Sequence, residues 1–137
     1  MEIDLALLAD AATIDDSGKL NILGIFDRVS AAAFPAQHGR MALVLRFAAG
    51  LPEAGPHEVG IRLTDPDSVE VIRLDGEMQL APGPRSAGGG VKVPHVLNLD
   101  GIVFTRSGHY TFDVSVDGKH HVAIPLSVID ARGGALA

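Results

Sequence analysis

The sequence predicts an all-β fold, an antiparallel Greek-key β-sandwich that is immunoglobulin-like or closely related and has about seven to nine strands. Three observations carry this. Residues 108–128 read GHYTFDVSVDGKHHVAIPLSV, with Tyr110, Phe112, Val114 and Val116 on every second position and polar residues between them. That alternation describes a strand with one buried and one wet face. Turn signals recur along the chain at a spacing of about 8 to 12 residues, as sandwiches require. Aromatic residues are only 4% and tryptophan is absent, so the core must be built mainly from Val, Ile, Leu and Ala. The branched members of that set suit a pleated surface.

Taken in order, the first strand is predicted over residues 3–11, with Ile3, Leu5, Leu7 and Ala9 on one face. Asp15-Asp16-Ser17-Gly18 is a turn, combining Asx side-chain capping with a glycine free to take positive φ. A second strand follows over 19–29. Residues 30–39 read as an irregular connection with one helical turn at 31–34. The third strand, 40–48, directs Met41, Leu43, Leu45 and Phe47 inward, and the fourth covers 58–64. Asp65-Pro66-Asp67-Ser68 is a turn with Pro at its second position.

The fifth strand, 69–80, changes phase between Val71 and Ile72, the signature of a β-bulge. Residues 81–90 (APGPRSAGGG) bury almost nothing and are expected to be mobile. The sixth strand, 93–104, slips phase near Asp100-Gly101. The closing hairpin has two available registers. A two-residue Asp117-Gly118 turn pairs Val116 with Lys119 and Phe112 with Ala123, which puts the two apolar sets on opposite faces. A three-residue loop with a bulge at Gly118 pairs Phe112 with Val122 and buries both sets, so it is the register expected. It places Asp113 opposite His121. Gly108-x-Tyr110 matches a tyrosine corner, in which the hydroxyl bonds upstream backbone. Residues 1–129 form one domain in this reading, with a frayed tail over 130–137.

The segments ALLADAATIDDSGKLNILGIFDRV, FPAQHGRMALVLRF and SGHYTFDVSVDG resemble a widespread bacterial family of single-domain proteins of unknown function. The resemblance spans residues 3–128 and is most specific at Gly18-Lys19-Leu20-Asn21-Ile22-Leu23-Gly24 and Phe26-Asp27-Arg28. Family members more often carry a proline at the position of Gly39 and a Cys-Asp-Tyr run at Ala9-Asp10-Ala11. The resemblance implies the same fold and a bacterial origin, and brings no catalytic residue or cofactor.

Composition excludes several function classes. The chain has no cysteine, which removes disulfides, thiolate metal sites and cysteine nucleophiles. A net charge of -6 opposes binding to nucleic acid or an anionic membrane. The N-terminal residues carry Glu2 and Asp4 where a signal peptide wants basic residues, so a soluble cytoplasmic protein is expected.

Candidate sites are few. His120 and His121 are adjacent on a strand and point to opposite faces, which is poor chelating geometry. Asp15, Asp16, Asp65 and Asp67 form a weak calcium alternative, equally explained as turn chemistry. Gly88-Gly89-Gly90 lacks the ending of a phosphate loop. No cofactor is expected.

The stronger signal is apolar. Leu8 falls opposite Leu5 and Leu7, and Leu23 and Ile25 fall opposite Leu20 and Ile22. Both strands thus carry apolar groups on two faces where a sandwich strand needs one. Leu8, Leu23 and Ile25, with Asp27 and Arg28 at the polar end, are the expected partner surface. A homodimer is the commonest way to cover such a face. The competing expectation is that residues 30–39, with Phe34 and Pro35, fold over it. A non-catalytic binding or assembly module is the expected function. A small hydrolase, or an ion- or carbohydrate-binding protein with a loop-built site, is the alternative.

Overall fold

Alternation in the sequence becomes nine strands in the computed structural model, which describes residues 1–80 and 90–132. They are β1 (Glu2–Ile14), β2 (Leu20–Phe26), β3 (Arg28–Ala31), β4 (Ala36–Ala49), β5 (Gly55–Thr64), β6 (Glu70–Leu80), β7 (Val91–Phe104), β8 (Gly108–Val116) and β9 (Lys119–Asp130). A first sheet has the order β2-β1-β4-β7 and a second the order β3-β9-β8-β5-β6. Neighbours are antiparallel except β3, which runs parallel to β9. The chain changes sheets between β2 and β3, β3 and β4, β4 and β5, β6 and β7, and β7 and β8. This is the predicted antiparallel sandwich with an immunoglobulin-like order. Its core packs Leu8, Met41, Leu43, Leu45 and Phe47 of the first sheet against Leu63, Phe112, Val114, Leu126 and Val128 of the second.

Irregularities in the strands decide which residues face that core. In β1 the pairing steps from Ile3–Phe47 to Leu5–Arg46, leaving Asp4 as an extra residue. Beyond this bulge Ala6 and Leu8 turn inward, and Leu8 is only 1% exposed. The expected single face of Ile3, Leu5, Leu7 and Ala9 is therefore broken after Ile3: Leu5 and Leu7 turn outward, and Ala9 is buried between its neighbouring strands. Leu8 belongs to the core, not to a partner surface. A strand whose residues are nearly all apolar cannot reveal a bulge by its own pattern. In β6, by contrast, the predicted slip is present. Leu63 pairs with Ile72 and Thr64 with Glu70, so Val71 is the bulged residue.

The slip expected near Gly101 has a different form. Pairing runs unbroken from Arg40–Asp100 to His38–Ile102, while the inward side switches on both strands. Gly39 and Gly101 lie opposite each other at the switch, and Gly101 takes a left-handed φ of 72°. Glycine reaches this conformation without steric cost.

The closing hairpin corrects both registers considered from sequence. Asp117 and Gly118 form a two-residue turn with φ of 51° and 79°, and Val116 pairs with Lys119. Positive φ at both central residues matches right-handed strand twist. A bulge at His121 then shifts the register, giving Val114–Val122, Phe112–Ile124 and Tyr110–Leu126. The apolar sets share a face because of this bulge, not because of a longer loop. Asp113 stands opposite Ala123.

Residues 30–39 hold no helical turn. Asp27 separates β2 from β3, and its carbonyl accepts the Ser127 amide at 2.9 Å, which carries the chain to the second sheet. A cis Phe34–Pro35 bond precedes β4, and Phe34 packs against the inter-sheet core. The tyrosine corner is formed. The buried Tyr110 hydroxyl donates to the Arg106 carbonyl at 2.8 Å, and its ring stands edge-on to Phe104. At the far end Asp130 remains in β9, and the Ala131 amide donates to Ala31, so the expected fraying does not begin at residue 130. The expected mobile loop, apart from Gly90, and residues 133–137 lie outside the described residues.

Candidate functional site

The acidic turns are closed structures. One Asp15 carboxylate oxygen accepts the Ser17 amide, the Ser17 hydroxyl and the Lys19 amide at 2.7–3.0 Å. Asp65 does the same with the Asp67 and Val69 amides at 2.8 and 2.9 Å. The two loops are copies of one design, in each of which the first residue's amide donates to the fifth residue's carbonyl and the fourth residue, Gly18 or Ser68, is left-handed. Hydrogen bonding to Ser17 holds the Asp15 carboxyl below the usual range. Asp67 pairs with Arg106 across the tyrosine corner, and Asp16 is exposed. Among the described residues no group of three or more His, Asp or Glu is placed to hold a metal ion.

The histidines separate into distinct environments. His57 Nδ1 lies 2.6 Å from Asp117 Oδ2 and its Nε2 lies 2.6 Å from the Glu53 carbonyl oxygen. Both partners are acceptors, so the imidazolium, which donates from both nitrogens, fits best. The Asp117 hydrogen bond, then that to Glu53, raises the His57 pKa, and His57 in turn lowers that of Asp117. Asp117 Oδ1 also accepts the Glu58 amide, so the clamp fixes the β8–β9 turn to β5. His120 Nε2 lies 3.2 Å from Asp113 on the outer face of the second sheet. There Asp113, Ser115 and His120 border a shallow depression over Gly60, with Arg62 and Arg73 beside it. Ser115 turns its hydroxyl to the Gly60 carbonyl at 3.5 Å. This open, charged surface excludes no water.

The outer face of the first sheet differs. Leu5 and Leu7 of β1 stand beside Val44 of β4, and Val44 pairs with Val96 of β7. On the edge strand β2, Leu20, Ile22 and Phe26 are half-buried, while Leu23 and Ile25 are 72% and 65% exposed. Small residues, Ala9, Ala11 and Ala42, lie between these rows and keep the face low. Ion pairs bound it at both ends: Asp4 with Arg46 at 2.8 Å and Lys92 at 3.2 Å, and Arg40 with Asp100 at 2.9 Å. Asp27 and Arg28 are exposed at the crossover out of β2, 3.7 Å apart. Of the expected partner residues, Leu23, Ile25, Asp27 and Arg28 are thus at the surface and Leu8 is not.

Sequence reasoning missed two features. The His57–Asp117 contact joins residues 60 apart and has no local signal. A cleft between the sandwich edges β6 and β7 is lined by Phe47, Ile61, Gly76, Met78, His95 and Leu97. Its one sequence signal is Gly76, a glycine inside a strand pattern.

Comparison with known proteins places the chain without naming a chemistry. No curated protein matches its sequence. Among solved structures, an immunoglobulin-like protein from Pseudomonas aeruginosa is similar at 15% identity and a TM-score of 0.40, covering 93% of this chain and 94% of that one. Residues 4–129, running from the bulge in β1 almost to the end of β9, match the model of a family of unknown function. The chain belongs to that family, DUF6941.

Proposed function

We propose that the protein is a non-catalytic assembly module that pairs with a second copy of itself through the outer face of its first sheet. One observation carries this reading: the exposed Leu23 and Ile25 on edge strand β2 stand beside half-buried Leu5, Leu7 and Val96, which flank the fully buried Val44. Large apolar side chains exposed beside such a half-buried row mark interaction sites. Phe34 packs inward, so residues 30–39 do not provide the cover. Charge favours a second copy as the occupant. The chain carries -6 overall, yet Arg40, Arg46 and Lys92 balance Glu2, Asp4 and Asp100 around this face. Two copies therefore meet here without the repulsion their net charge imposes elsewhere. Sedimentation equilibrium at micromolar concentration tests the proposal. A dimer that the double substitution Leu23→Glu, Ile25→Glu converts to a folded monomer supports it. A monomer at all concentrations refutes it.

A further inference from the structure

The first sheet ends in the edges β2 and β7, and the second in β3 and β6. A free edge is a template for another strand, and native proteins blunt it. β3 is only four residues long, β7 contains Pro94, and β2 contains Gly24 at a left-handed φ of 72°. Beyond its bulge at Val71, β6 runs from Ile72 to Leu80 with no proline and no positive φ. Charge is its remaining guard, and charge admits one kind of strand.

The backbone direction on β6 follows from β5. Glu58 donates its amide to the Asp117 carboxylate at 3.0 Å and accepts the Asp117 amide at 2.8 Å, so both its groups point toward β8. Bonding direction alternates along a strand. Val59 and Ile61 therefore bond to β6 at Gly76 and Leu74, and the amides and carbonyls of Arg73, Asp75 and Glu77 point away from the sheet. Among the described residues no strand meets them. Side chains alternate as well: Leu74, Gly76 and Met78 face inward, while Arg73, Asp75 and Glu77 face outward beside Glu58 and Ser115. A residue added opposite Gly76 thus directs its side chain into the cleft between β6 and β7. A Cβ built on Gly76 meets nothing within 4 Å there. The space of about 230 Å³ is walled by Phe47, Ile61, Met78 and Leu97. An apolar cavity of roughly 150 Å³ takes benzene, so a leucine or phenylalanine side chain fits. The two flanking residues of the added strand stand on the outer side, next to Asp75 and Glu77. Glu77 is directly opposite Glu58, and like charges so placed are destabilising.

We propose that β6 receives an extended segment of a partner protein as an added strand, with an apolar residue opposite Gly76 and basic residues beside Asp75 and Glu77. Main-chain hydrogen bonds to the free edge and a pocket for the alternate side chain are the two components of such recognition. Relief of the Glu58–Glu77 opposition selects the basic neighbours.

The probe is the end-blocked peptide Thr-Lys-Leu-Lys-Thr, whose palindromic order seats Leu opposite Gly76 in either strand direction. NMR titration is expected to shift the amides of Arg73, Asp75 and Glu77, slow their hydrogen exchange, and shift the Met78 methyl. Glu in place of both Lys is expected to weaken binding at least about tenfold. Gly in place of Leu is expected to cost a similar factor. N-methylation of both Lys amides, which face β6, is expected to abolish binding, whereas N-methylation of the Leu amide, which faces away, is expected to change it less than about threefold. Glu77→Lys, at an exposed position, is expected to bring the basic and acidic peptides within about threefold of each other. The Leu23→Glu, Ile25→Glu variant is expected to bind the peptide as the unaltered chain does, which separates this edge from self-association. Binding that survives methylation of the lysine amides, acidic and basic peptides bound alike, or exchange unslowed at Arg73, Asp75 and Glu77 would each overturn the proposal. Slow exchange of those three amides before any peptide is added would assign the edge to a second copy or to another segment of this chain, and would overturn it equally.

Discussion

The two outer faces of the sandwich are built by the same alternation on the same core, yet they are chemically opposite. The second sheet presents Arg62, Arg73, Asp75, Asp113, Ser115 and His120 outward. At the same structural level the first sheet presents Leu5, Leu7, Val96 and Ile25 around a buried Val44. A sandwich needs only its inner faces apolar, and solvent accounts fully for the charged outer face. It does not account for the other. The difference teaches that core formation and the outer face of the first sheet answer to separate demands, and self-association is the demand we assign to the latter.

The largest expected effect breaks that comparison directly. Leu23→Glu with Ile25→Glu should weaken dimerisation at least about a hundredfold, because charges without partners are then buried at an interface. Arg62→Glu on the opposite face should leave it within about twofold. Sedimentation equilibrium reads both. Equal sensitivity of the two faces would remove the distinction.

A smaller effect tests how the second sheet is held in register. Gly118→Val should cost more than about 1 kcal/mol, since a β-branched residue tolerates positive φ poorly. Nothing lies within 4 Å of a Cβ at that position, so the cost is conformational and not a clash. Chemical denaturation measures it. An unchanged midpoint would mean that the turn relaxes without loss.

The twin loops sharpen the comparison between sheets. Gly18 takes φ of 83° in the first sheet's loop, while Ser68 takes 64° in the second. Glycine carries no Cβ penalty there. Ser68→Gly should therefore stabilise by about 0.5–1 kcal/mol, and Gly18→Ser should destabilise by a similar amount. Thermal unfolding of the two variants decides, and identical signs would show that the loops are not equivalent.

The smallest effect is the pH dependence of the His57 clamp on the second sheet. The folded pKa of His57 is raised, so its stabilisation is complete below the ordinary value near 6.5 and is lost as pH rises through the raised one. Asp117 is lowered, so its share is present above the ordinary 3.8 and is lost as pH falls through the depressed value. The midpoint should decline modestly above pH 6.5, and His57→Gln should flatten that decline. A slope unchanged by the substitution would place the titration elsewhere.

Legibility in the sequence followed the local signal. The β6 bulge was visible because polar Arg73 and Asp75 alternate with Ile72 and Leu74 and fix the phase. The β1 bulge was hidden because Leu5, Ala6, Leu7, Leu8 and Ala9 are all apolar and any phase fits. That one ambiguity moved Leu8 from a supposed surface into the core. At the closing hairpin, Asp117-Gly118 announced the turn, while the bulge at His121 depended on the packing of Ile124 and Leu126 against the other sheet. The exposure of Leu23 and Ile25 was readable because β2 has no bulge, so both stay opposite Leu20 and Ile22 as a regular strand places them.

By itself the sequence determined most strands, the positions of their turns and the tyrosine corner, because alternation, Asx capping and glycine at positive φ act over a few neighbouring residues. Tertiary structure decided which face of β1 is buried, where β9 bulges, that β2 and β3 part at Asp27, and that His57 meets Asp117. It also decided that Gly76 opens a cleft instead of a close contact. Each of these depends on groups distant in the chain, and burial is a property of what packs opposite a residue, which no local pattern contains.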